Sequence, residues 1–209
     1  MILYDHPASG NCMKARILLR QLEIPFERVT VDLFRGETRT DEHFARNPDG
    51  RIPVLELDSG DTIAESGAIL THLADGTRYL PEERMPRTRV AQWMLFEQNR
   101  IEAELGYARF LKLSGRHDQM PEVYANRLER GQDALVALDR GLSAGGDFVA
   151  GDYSIADIAL YAYVHCADEA GADPRSQRSI AAWLDRVESQ PRFVNDLDPL
   201  PAHALERPV

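Results

Sequence analysis

The sequence predicts a two-part molecule, an α/β domain followed by an all-α domain. Three observations carry that expectation. A strand, loop and helix open the chain and lead into a second strand; a hairpin and a helix follow and stop near Asp75; and from about residue 88 onward apolar residues recur only with helical spacing.

Ile2-Leu3-Tyr4 reads as a short buried strand ended by Asp5-His6-Pro7. Residues 11 to 22 carry Met13, Ile17, Leu18 and Leu22 on one helical face, and Phe26 to Val31 alternate as a strand does, which completes a βαβ opening. Ile52 to Leu57 and Thr62 to Ala64 flank Asp58-Ser59-Gly60-Asp61, a hairpin with turn residues between its strands. A helix is expected from about Ser66, with Ile69, Leu70 and Leu73 inward, stopped by Asp75-Gly76. The polar stretch broken by Pro81 and Pro86 reads as a linker. The expected boundaries are thus 1–77, a linker at 78–87, and 88–209, with helices near 88–113, 122–142, 154–170 and 177–189.

In the last part, Ser154 is placed to cap a helix while Asp157, three residues on, returns a carboxylate to the cap's own N–H. Asp157 is therefore expected to be a structural acid rather than a catalytic one.

Composition narrows the function. A formal net charge of -10 disfavours nucleic acid and anionic membrane surfaces as partners. No segment approaches the roughly 20 apolar residues that span a bilayer, and no basic region with an apolar core opens the chain, so a cytoplasmic protein is expected. Two cysteines, Cys12 and Cys166, provide neither a disulfide framework nor a zinc site, and six scattered histidines show no metal-ligand pairing, so no metal is expected.

Four separated motifs carry the chemistry: Ser9-Gly10-Asn11-Cys12-Met13-Lys14, Asn47-Pro48-Asp49-Gly50-Arg51-Ile52-Pro53-Val54-Leu55, Glu65-Ser66, and Phe148 to Asp157. In that order and spacing the chain resembles the cytosolic glutathione transferase family from Met1 to about Phe193. The resemblance implies a thioredoxin-like βαβαββα domain followed by a helical bundle, a homodimer, and glutathione as co-substrate.

It also implies roles. A thiol with a pKa near 8.5 is only a few per cent ionised at neutral pH, and lowering that value by about two units requires ~2.7 kcal/mol of preferential thiolate stabilisation. Ser9, just before the first helix, is similar to the activating serine of theta- and zeta-like transferases; its hydroxyl and the helix dipole together act on that scale. Ser9-Gly10-Asn11 is also similar to the Thr-Pro-Asn segment of nu-like members, in which an asparagine amide orients the sulfur and disulfides are reduced, so Asn11 shares the role.

Cys12 has a second reading, as a thiol at a helix N-terminus able to form a mixed disulfide, beside that of a small buried side chain. Ile52, before a cis Pro53, would pair with the tripeptide backbone, and Arg51 would reach the glycyl carboxylate. Ser66, at a helix start, would bind the γ-glutamyl carboxylate and Glu65 the α-ammonium. Arg100, Tyr107 and Phe110 are candidates for the second substrate's wall. The enzyme expected is a transferase acting on a small electrophile, with disulfide reduction, a zeta-like isomerisation, or a non-catalytic assembly role as alternatives.

Overall fold

In a computed structural model, residues 1–205 are described, and they divide into two compact units. The first contains Met1–Asp75 together with the chain from Pro191 onward; the second is Gly76–Gln190.

The first unit is built on a four-stranded sheet of order β2-β1-β3-β4. Strand β1 (Ile2–Asp5) runs parallel to β2 (Glu27–Thr30), with Leu3 opposite Arg28, and antiparallel to β3 (Val54–Glu56), with Leu3 opposite Leu55. β4 (Thr62–Ala64) closes the hairpin, Val54 facing Ala64. The parallel β1–β2 pair requires a crossover, which α1 (Gly10–Gln21) supplies. α1 is buried on nearly every side, from Cys12 through Leu19, and packs against α3 (Ser66–Ala74). Leu3, Ile17, Leu18, Leu55, Ile69 and Leu70 are all inaccessible to solvent and form the core of the unit.

Between β2 and β3 a short helix α2 (Asp41–Arg46), capped by Thr40, completes the βαβαββα order. The chain after Pro191 adds irregular backbone and a short 3-10 helix, Ala202–Leu205, to this unit, fastened through Asp196 to Arg16 and Arg20 and through His203 to Asp32.

The second unit is helical. Its first helix begins at Arg84, inside the stretch expected to be a linker; Pro86 is tolerated there because first-turn N–H groups have no intrahelical acceptor to lose. α4 (Arg84–Phe96) runs on through a π-helical stretch, Glu97–Gly106, into α5 (Tyr107–Leu113). Gly106 ends that stretch where the ring of Tyr163 lies 3.0 Å from the position a Cβ would take. Buried Glu104 accepts from Arg127 at 3.0 Å and pairs with Arg130 at 2.8 Å, tying the π-helical turn to α6 (Pro121–Gly145).

The helix expected over 154–170 is two, α7 (Ile155–Val164) and α8 (Ala167–Ala170). His165 turns its ring nitrogen onto the Tyr161 carbonyl at 2.7 Å, and the helical bonding lapses at that point. α9 (Arg178–Glu188) buries Ile180, Trp183, Leu184 and Val187, the i, i+3, i+4, i+7 stripe of an amphipathic helix.

Ser154 and Asp157 form the capping box expected of them. The inaccessible Asp157 carboxylate accepts from Ser154 N–H at 3.0 Å, Val149 N–H at 3.1 Å and the Trp183 indole N–H at 2.9 Å, so one acid organises a loop, a helix start and α9.

Candidate active site

Ser9 is the N-cap of α1, with an extended backbone (φ -89°, ψ 119°), and its Oγ accepts from Cys12 N–H at 3.3 Å. That bond uses an oxygen lone pair only. The Ser9 hydroxyl also faces the Cys12 side chain, and this partly exposed group stands at the positive end of a 12-residue helix. Asn11, in the first turn, accepts on Oδ1 from the Ser66 hydroxyl at 3.4 Å. The first and third motifs therefore adjoin, two helix N-termini meeting through one side-chain contact.

α3 begins at Ser66, as the sequence leads one to expect. Ser66 is its first helical residue, and Glu65 holds the cap position with no side-chain cap bond. Glu65 has φ +67°, a region costly for a non-glycine residue and found where surrounding structure imposes it. Ser66 is buried while Glu65 is exposed, its carboxylate free to meet a cation from solvent.

The Ile52–Pro53 bond is cis. Among the described residues neither the N–H nor the C=O of Ile52 has a backbone partner, although it immediately precedes β3. The loop before it is held by residues whose roles the sequence reading missed. Asn47 Nδ2 donates to the Arg51 carbonyl at 2.9 Å, and buried His43 contacts the same carbonyl through Nε2 at 3.0 Å. Asn47 Oδ1 also accepts from Asp49 N–H at 3.1 Å, a side-chain-closed turn that Asn-Pro-Asp-Gly would have signalled. The Arg51 side chain itself is exposed and paired with Asp49 at 2.6 Å.

Gly50 adopts φ +64°, and a Cβ there would come within 2.6 Å of Arg39 Nη1 and 2.9 Å of the Thr38 carbonyl oxygen. Gly50→Ala is accordingly expected to cost about 1–3 kcal/mol. It should weaken any ligand that pairs with Ile52, measured as a lower melting temperature together with a raised Kd for that ligand.

Cys12 is fully buried, and burial, with Asp5 nearby, pushes its thiol up to about 12. The small-buried-side-chain reading describes it; a thiolate does not form there near neutral pH. Cys166 is likewise buried and pushed up to about 12.

Within the second unit, Tyr107 and Phe110 stack at 6.5 Å between ring centroids, flanked by Arg127 over Tyr107 and Arg116 over Phe110. Arg100 lies in the π-helical stretch, and among the described residues its buried Nε has no hydrogen-bond partner.

The family model described as "Glutathione S-transferase, N-terminal domain" matches residues 1–75. A glutathione S-transferase structure from Pseudomonas fluorescens is 45% identical over 94% of this chain and 98% of that one, with a TM-score of 0.91. The chain belongs to the glutathione S-transferase family. Among its other relatives, a maleylacetoacetate isomerase from Rhizobium meliloti is 40% identical over 92 residues, a match that spans 43% of each chain. A glutathione transferase from Burkholderia graminis, solved with two glutathione molecules bound per subunit, is 26% identical with a TM-score of 0.79, over 91% of this chain and 84% of that one. The thioredoxin-like α/β domain and the helical part expected from the sequence are those of the family's solved members.

Proposed function

We propose that this protein is a glutathione transferase in which Ser9 activates the tripeptide's thiol and Asn11 helps orient the sulfur. The observation that carries the reading is the Ser9 hydroxyl at the N-terminus of α1. Its oxygen accepts from Cys12 N–H, and its hydrogen can turn from the buried Cys12 side chain to a sulfur arriving from solvent. A donor that stabilises a thiolate but not a thiol lowers the thiol pKa, and ~2.7 kcal/mol of such preference makes a two-unit shift.

The remaining residues divide the tripeptide among them. Ile52 offers its N–H and C=O to the cysteinyl backbone, with Pro53 fixing their direction. Ser66 and the N-terminus of α3 receive the γ-glutamyl carboxylate, and Glu65 the α-ammonium. Arg51, paired with Asp49, would have to exchange that partner for the glycyl carboxylate. The thiolate then attacks an electrophilic carbon: a C–S bond forms and the leaving group departs with the displaced electron pair. Arg100, Tyr107 and Phe110 stand as the second substrate's contacts, Tyr107 and Phe110 offering stacked rings and Arg100 a cation.

A homodimer is part of this reading, supported by Met85 and Leu95 on α4 and Val136 on α6, large apolar residues at 60%, 64% and 49% exposure. A cytoplasmic location is supported by two unpaired buried cysteines, and among the described residues no helix is long and apolar enough to cross a membrane.

Titration with glutathione under thermal unfolding tests the reading. Free ligand at about 100 times Kd stabilises the folded protein by ~2.7 kcal/mol, worth on the order of 5–10 °C in a chain of this size. No shift at millimolar glutathione would rule the enzymatic reading out.

A further inference from the structure

Arg16, in the middle of α1, is completely buried, and two carboxylates meet it there. Its Nη1 donates to Asp5 Oδ1 at 2.6 Å and its Nε to Asp196 Oδ1 at 2.8 Å. The second oxygens are used as well: Asp5 Oδ2 takes Arg28 Nε at 2.7 Å, and Asp196 Oδ2 takes Arg20 Nη1 at 2.5 Å. Burial alone would raise the Asp196 carboxyl, yet Arg16 and Arg20 hold it below the usual carboxylate range.

What is left of the Arg16 guanidinium reaches backbone. Nη2 donates to the Pro7 carbonyl at 3.2 Å, and Nη1 to the His6 carbonyl at 3.4 Å. The His6 carbonyl also accepts the N–H of Ser9 at 2.9 Å, and the Pro7 carbonyl accepts Asp198 N–H at 3.2 Å. The C-terminal segment reaches the same tetrapeptide by a second route. His203 contacts Asp32 at 2.8 Å and lies edge-on to Phe34, which lies edge-on to His6, and His6 Nδ1 accepts the N–H of Ala8 at 3.2 Å.

We propose that the Asp196–Arg16 pair is a positioning device for Ser9, through which the C-terminal segment fixes the turn that presents the Ser9 hydroxyl. A buried ion pair is a poor source of stability, since well-packed apolar residues of similar volume serve as well or better. What a guanidinium adds is direction: several donors fixed in one plane, here aimed at the His6 and Pro7 carbonyls of the turn that leads to Ser9. Asp196 orients the plane and Arg16 holds the turn. Neither touches the sulfur. The inference rests on the reading of Ser9 as thiol activator.

Asp196→Asn keeps the shape and removes the charge. In the ligand-free protein, amide hydrogen exchange at Ser9 and Cys12 is expected to quicken about tenfold, the loss of ~1.4 kcal/mol of local protection. In the active enzyme kcat/KM should fall about tenfold, with its acid limb moved up by roughly half to one pH unit. Glutathione Kd should stay within about twofold, because Ile52 and Ser66 are untouched, and Asp196→Glu should recover part of the loss. Arg20→Gln, which releases Asp196 from the partly exposed side, should act in the same direction more weakly, and it serves if Asp196→Asn does not fold. Unchanged amide exchange in the folded variants overturns the proposal, as does a lost glutathione affinity with the acid limb in place. A wild type that ignores glutathione would sink the transferase reading alone, since the exchange measurement needs no ligand.

Discussion

Ser9→Ala is expected to lower kcat/KM for thiol conjugation about 100-fold, the equivalent of the ~2.7 kcal/mol assigned to thiolate stabilisation. Its acid limb should move up towards the pKa of free glutathione. The stability cost should be modest, about 1 kcal/mol, because the cap bond that is lost, Cys12 N–H to Oγ at 3.3 Å, is long. The two effects separate cleanly by experiment: kinetics as a function of pH report the thiol, and thermal unfolding reports the cap. Full activity in Ser9→Ala with a collapse in Asn11→Ala would transfer the thiol to the Asn11 amide, which Ser66 already holds in place.

Asp157→Ala should be the most damaging single substitution in the second unit. It leaves Val149 N–H, Ser154 N–H and the Trp183 indole N–H buried without their acceptor, at about 3–5 kcal/mol in total, or on the order of 10 °C in melting temperature. Asp157→Asn separates charge from shape. Burial, opposed by the indole and backbone donors, pushes the Asp157 carboxyl up to about 6, above its ordinary value of 3.8. The folded chain therefore binds that proton more tightly than the unfolded chain, and the stability it confers is complete below pH 4 and lost as pH rises through 6. The advantage of wild type over Asp157→Asn should be greatest near pH 4 and shrink by up to ~3 kcal/mol by pH 7. A difference in melting temperature that stays flat between pH 4 and 7 would show that this carboxyl does not titrate there.

Much of this was legible in the chain, because the elements that build the core follow simple periods. α1 repeats its apolar residues every three to four positions, and the hairpin carries its own turn residues, Asp58 to Asp61. The capping box can be read because cap and acid lie three residues apart.

What was not legible has physical reasons. α2 is six residues long and its inward residue is His43, so no apolar period marks it; the expectation of a helix there came from family resemblance alone. The π-helical stretch differs from an α-helix by one residue in its bonding step, too little for ten residues of pattern to reveal. Glu65 at a cap position with positive φ is set by its surroundings rather than by any preference of glutamate. Arg16 and Asp196 are 180 positions apart, and a charged residue at mid-helix reads as solvated until the structure buries it.

The return of the chain beyond Pro191 to the first unit means that this unit is assembled from two stretches separated by the whole helical unit. Its strands and helices precede the helical unit in sequence, and domains generally fold as they emerge from the ribosome. The carboxylate that secures Arg16 lies beyond the entire helical unit in sequence, so it reaches the loop before Ser9 only by closing a loop of 180 positions. A chain cut before Asp196 would carry every residue proposed for the thiol site and lack the carboxylate proposed to set it.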